Sequence, residues 1–153
     1  MTNRLALTTA LCLALAAASA RAESLRFIEV QSNVPGVTAL GGARGVAVSP
    51  DGRHVYAVAK LDDAINVFTS DTATGQLSFV ESHTHTSADD GLRGATAVTL
   101  SPDGKHVYLG SFIDDALVVF SRDADTGALT FVQMKRDGSG GINHRVNGLD
   151  GVE

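Results

Sequence analysis

Acid, base and metal chemistry needs carboxylates and imidazoles set close together, and this chain offers them at a few places. Two aspartate pairs, Asp62-Asp63 and Asp114-Asp115, have the spacing to hold a cation or to trade a proton. Both pairs fall at one turn position in two copies of a repeat, however, so a side-chain-to-backbone role in the turn explains them better. His83 and His85 alternate on an extended segment, which turns both rings to one side as a metal site requires. No third ligand stands at a telling spacing, so no metal and no cofactor is expected. Arg93 and His144 complete the ligand-face candidates, with Asp89, Asp90, Asp137 and Arg145 around them.

Other chemistries lack their residues. There is no Gly-x-Ser-x-Gly, and the one cysteine, Cys12, falls in the leader described below. The glycine-rich residues 137–141 lack the Lys-Ser/Thr of a phosphate-cradling loop and read as a connector. His54 and His106 open equivalent strands and are expected to be solvated. Arg44 is unrepeated, with Thr96 at its counterpart, and is either an anion contact near the axis or a tolerated change. No residue is assigned a catalytic role.

The elements that must position these groups come from an internal repeat. Ser49-Pro50-Asp51-Gly52-Arg53-His54-Val55-Tyr56 recurs 52 residues later as Ser101-Pro102-Asp103-Gly104-Lys105-His106-Val107-Tyr108. The same offset pairs Leu40 with Leu92, Gly42 with Gly94, Phe68 with Phe120, Gly75 with Gly127 and Leu77 with Leu129. A period near 50 belongs to propellers and solenoids. Each unit reads as four short strands, 43–49, 54–59, 64–68 and 77–82, then 95–101, 106–111, 116–120 and 129–134. Pro-Asp-Gly, Asp-Asp and Asp-x-x-Thr-Gly turns separate them. Apolar runs such as Leu117-Val118-Val119-Phe120 predict sheets covered on both faces. Small residues in the first strand fit a crowded axis, which favours a propeller over a four-stranded solenoid. In such a blade the connectors, the second turn and the exit of the fourth strand share one face, and the ligand candidates all fall there.

Residues 1–22 stand apart. Arg4, a Leu/Ala run over 5–18, and Ala18-Ser19-Ala20 and Ala20-Arg21-Ala22 have the form of a cleavable export signal. Its loss leaves ten basic residues against seventeen acidic, a net charge of −7, which argues against nucleic acid or an anionic membrane as partner. No second apolar span follows, so a periplasmic or secreted bacterial protein without disulfides is expected. Residues 23–39 hold a lone copy of a fourth strand (24–30, matching 76–82 and 128–134) and a connector. Residues 40–91 and 92–148 form the two blades with their connectors, and residues 149–153 begin a third. A lone strand of that kind completes the last blade of a closed ring, so the chain is expected to be a fragment or a truncated product.

Ser-Pro-Asp-Gly-Lys-His-Val-Tyr (101–108), Asp-Asp-Ala-Leu-Val-Val-Phe-Ser-Arg-Asp (114–123) and Thr-Gly-Ala-Leu-Thr-Phe-Val-Gln (126–133) together resemble the repeat of the bacterial seven-bladed β-propeller lactonases, relatives of 6-phosphogluconolactonase and carboxymuconate cycloisomerase. The resemblance implies an all-β propeller with about two of its seven blades present. It also implies, for a full ring, a lactonase that opens a lactone ester at a polar pocket on the connector face. The residues themselves favour scaffolding or ligand and protein binding, with no catalysis by this chain alone. The expected partners are the remaining blades or further copies met through open blade faces, and a small-molecule or protein ligand.

Overall fold

The computed structural model describes residues 26–32 and 39–137. The export signal, His144, Arg145 and residues 149–153 lie outside the described residues. Eight strands form two four-stranded sheets, all antiparallel, each a simple meander. The first sheet holds β1 (Ala43–Val48), β2 (His54–Ala59), β3 (Ala64–Ser70) and β4 (Leu77–Thr84). The second holds β5 (Ala95–Leu100), β6 (His106–Ser111), β7 (Ala116–Arg122) and β8 (Leu129–Arg136). These are two propeller blades. The third and fourth strands of each blade run two residues longer than the sequence implied, because β-bulges at Val67/Phe68 and Val119/Phe120 let pairing continue.

The repeat extends to irregularities. Bulges recur at Ala43/Gly45 and Ala95/Ala97, and Asp63 and Asp115 both take a left-handed backbone, with φ of 52° and 47°. Each Pro-Asp-Gly turn is closed alike. Ser49 Oγ donates to Asp51 Oδ1 at 2.5 Å and Arg53 N at 3.0 Å, while Ser101 Oγ and Lys105 N serve Asp103 Oδ1 at 2.6 and 3.1 Å.

The blades meet most closely through their first strands, β1 on β5, with β2 also on β5. A Cβ on Gly45 would stand 3.0 Å from Thr96 O, so that crossing is tight and favours a glycine. The core between the sheets includes Tyr56, Val58, Ile65 and Val67 of the first blade with Leu92, Val107, Leu109, Val118 and Phe120 of the second. The outward faces remain open. Val46 and Val48 on the first blade and Leu117 and Val132 on the second are exposed.

Residues 26–32 are not a strand in this structure. A fourth strand pairs with a third, and among the described residues none stands beside these. They still take the place of a fourth strand toward the next blade. Glu29 Oε1 accepts the Leu77 N–H at 2.5 Å, as Glu81 Oε1 accepts that of Leu129 at 2.7 Å. Both bonds span 48 residues, so segment 26–32 stands to the first blade as β4 stands to the second.

Candidate functional site

Two grooves lie at matching places, one between β4 and the second blade and one between segment 26–32 and the first. One, of about 400 Å³, is lined by His83, Thr86, Ser87, Asp90, Leu92 and Phe120 among others. The other, of about 430 Å³, is lined by Gln31, Ser32, Leu40, Phe68 and Leu77 among others. His83 stands 52 residues from Gln31, and Phe120 the same distance from Phe68. The first groove carries the polar chemistry.

The connector after β4 is folded around one carboxylate. Asp90 Oδ2 accepts the N–H groups of Thr86 (2.6 Å) and Ser87 (2.8 Å), while Oδ1 takes Leu92 N (3.1 Å) and His85 Nδ1 (2.8 Å). Burial pushes the Asp90 carboxyl up, but those four donors outweigh it and hold its pKa at about 2. His83, one strand position pair earlier, faces Glu81 Oε1 at 3.0 Å and lies against the Phe120 ring, centroids 5.5 Å apart. With Nε2–H given to Glu81, the neutral ring keeps Nδ1 as an acceptor.

The aspartate pairs act on the backbone. Asp62 Oδ2 accepts Gly41 N at 2.6 Å and Asp114 Oδ2 accepts Arg93 N at 3.0 Å, each tying a turn to its own blade's connector. Asp63 Oδ1 reaches across to Gly94 N of the next blade at 2.6 Å. Asp115 offers its carbonyl to Asp137 N at 2.9 Å, as Asp63 does to His85 N. Arg93 is exposed, and its backbone N–H is engaged by Asp114. The structure thus gathers Asp62, Asp63, Asp114, Asp115, His83, His85 and Arg93 on one end of the blades.

His83 and His85 do not converge. His83 turns to Glu81, whereas His85 joins Asp90 and Asp114, with ligand-type atoms within 4.8 Å of one another. That trio is already satisfied. Asp90 holds four donors, and Arg136 sits 3.2 Å from Asp114 Oδ1 and donates to Ala88 O at 2.6 Å. A guanidinium supplies the positive charge there.

The densest polar cluster lies at the opposite end. Arg122, its side chain only 3% exposed, donates from Nε to Tyr56 Oη (2.9 Å), from Nη1 to Gly104 O (3.0 Å), and from Nη2 to Asp51 Oδ2 (2.9 Å) and His54 Nδ1 (2.7 Å). Tyr56 Oη in turn donates to Gly127 O at 2.9 Å. His54 is therefore buried and not solvated, contrary to its expected place as an exposed strand start. Burial, then the charge of Arg122, lowers the His54 pKa, so the ring accepts at Nδ1. Hydrogen bonds from Ser49, Arg53 and Arg122 hold the Asp51 carboxyl far below the usual carboxylate range. Residue patterns missed this latch, and its signal was a mismatch. The counterpart of Arg122 in the first blade is Ser70.

Comparison with known proteins agrees with this architecture. Residues 16–140 match the family model described as "Lactonase, 7-bladed beta-propeller". A 6-phosphogluconolactonase of Pectobacterium carotovorum is 30% identical over 90 residues, covering 58% of this chain and 27% of that protein. The periplasmic gluconolactonase of Pseudomonas aeruginosa superposes with a TM-score of 0.56 at 31% identity, over 63% of this chain and 27% of that one. A putative 6-phosphogluconolactonase of Bacteroides uniformis gives 0.56 at 27% identity, over 65% and 28%. The chain thus spans little more than a quarter of the length of these relatives, about the share that two blades make of seven. Two meander blades built on one 52-residue repeat, and a family match over most of the sequence, place this chain in the seven-bladed β-propeller lactonase family.

Proposed function

We propose that these blades belong to an exported propeller that hydrolyses lactones, and that they supply ring scaffold and part of a ligand groove. The observation that carries the reading is the family match over residues 16–140, together with relatives named as gluconolactonases. In such a reaction a water oxygen attacks the lactone carbonyl, the ring C–O bond breaks, and the freed alkoxide takes up a proton. The groove beside His83 is the place to hold the lactone, since Nδ1 of that ring, aligned through Glu81, is able to take the water proton. Export rests on the leader-like residues 1–22, and the Pseudomonas relative is titled periplasmic. The test compares hydrolysis of glucono- and 6-phosphoglucono-lactone by the protein purified from its source with that by this chain alone. Turnover by the former that falls at least tenfold on His83→Gln supports the reading; no turnover above buffer on either lactone removes it.

A second reading, binding without catalysis by this chain, is favoured by one specific observation. The carboxylates of Asp62, Asp63, Asp90 and Asp114 are all committed to backbone N–H groups. Hydrolysis unaffected by His83→Gln, with lactone still bound, would favour that reading.

A further inference from the structure

The latch around Arg122 has a vacant twin. Asp51, His54 and Tyr56 of the first blade grip the guanidinium, and their counterparts in the second blade are Asp103, His106 and Tyr108. The twin turn is preset in the same way, with Asp103 Oδ1 held by Ser101 and Lys105 and the His106 N–H held by Ser101 Oγ at 3.0 Å. Asp103 Oδ2, the His106 ring nitrogens and the Tyr108 hydroxyl have no hydrogen-bond partner among the described residues; Asp103 is exposed, and His106 and Tyr108 are half-buried with their rings side by side, centroids 6.4 Å apart. We propose that Asp103, His106 and Tyr108 form a guanidinium-binding site, and that its occupant is an arginine from another propeller blade, carried at the end of that blade's third strand as Arg122 is.

Two features say that the occupant is a further blade and not a second copy of this chain docking by its first blade. Ser70 stands where the arginine must be and has no charge to offer. Residues 26–32 already fill the fourth-strand place on the first blade, and Glu29 already holds the Leu77 N–H, so β8 of another molecule finds that place taken. Gln133 matches Glu29 and Glu81 in the repeat, and its side-chain carbonyl is able to accept the corresponding N–H of the incoming blade.

The proposal is tested by extending the whole chain through Asp137 with a second copy of residues 86–137, which brings a copy of Arg122 to the site. A double-mutant cycle in chemical denaturation then pairs Asp103→Asn with replacement of the added arginine by serine. The expected coupling is about tenfold in the unfolding equilibrium constant, similar to that of Asp51→Asn with Arg122→Ser. In the unextended chain Tyr108→Phe should leave stability unchanged, and Asp103→Asn should cost only what weakening the turn bonds from Ser101 and Lys105 costs. Coupling at Asp51–Arg122 with none at the added arginine overturns the proposal. A peptide of residues 116–137 titrated into the unextended chain gives a second readout. It should shift the His106 and Tyr108 ring resonances, and its Arg122→Ser form should not; equal shifts from both peptides, or none from either, count against the site. If the Tyr108 ring becomes shielded as the unextended chain is concentrated, a second copy is the occupant and the exclusion fails.

Discussion

Gly75 and Gly127 share a φ of 79° and the same turn, yet their surroundings differ. A Cβ on Gly127 would stand 2.2 Å from His54 Cδ2, whereas on Gly75 the nearest atom is Ile28 Cγ1 at 3.8 Å. Gly75→Ala should therefore cost only the left-handed backbone penalty, about 1–2 kcal/mol. Gly127→Ala should cost about 1–3 kcal/mol more by displacing His54 from the latch, as read from urea denaturation. Arg122→Ser leaves the buried His54 Nδ1 unpaired and Tyr56 Oη with only its bond to Gly127 O, and should cost about 2–4 kcal/mol. The latch also sets a pH dependence. As pH falls below the ordinary histidine value of 6.5, the unfolded chain gains a proton that folded His54, with its lowered pKa, does not. Stability should then decline from about pH 6.5 downward, and again below the ordinary aspartate value of 3.8, where Asp51 and Asp90 resist protonation only in the folded state. Melting curves across pH check this, and His54→Asn, which keeps an acceptor near Nδ1, should remove only the upper step. Turn roles were legible at this scale because Asp-Gly chemistry is local. The burial of His54 was not, since it depends on an arginine 68 residues away that the repeat does not carry twice.

At the scale of elements, the strands were legible because each blade alternates β-formers with turn residues, and the bulges were not because they add a residue without a distinctive type. The tie between connector and sheet shows a similar limit. The carbonyl of Ala39 is held by Asn66 Nδ2 at 2.7 Å in the first blade, and that of Gly91 by Ser111 Oγ in the second. Positions 39 and 91 are equivalent, but Asn66 and Ser111 lie on different strands, so a search for repeated residues passes over both. Glu81 is the element-level joint to test. It holds the start of β8 through Leu129 N and also faces His83, so Glu81→Ala should cost about 1–3 kcal/mol and loosen β8. Hydrogen exchange at Leu129 and its neighbours in β8 should rise, with β5 and β6 unchanged.

Taken whole, two blades share one interface and leave two apolar faces in water. Val46 is 67% exposed and Leu117 39%. A repeat array without caps of this kind is expected to be marginally stable and to cluster without fixed stoichiometry. Sedimentation over a range of concentrations should show broad, growing species, with dye binding to exposed apolar surface. A sharp, stable monomer would contradict that expectation. The propeller architecture was readable in advance because the period, the small first strand and the turn types all agree. The groove chemistry was readable only in part. The sequence grouped His83 with His85, while the folded chain gives each imidazole its own carboxylate.

The glutamate bonds from segment 26–32 to β4 and from β4 to β8 give assembly a polarity. Each carboxylate precedes by 48 residues the N–H that it receives, so a chain emerging from its N-terminus always presents the acceptor before the donor. Every outer strand thus has its anchor waiting when it arrives, and blades are set to lock in order of synthesis. On ribosome-stalled chains of increasing length, protection at Leu77 should appear before protection at Leu129, and Glu29→Ala should delay the first.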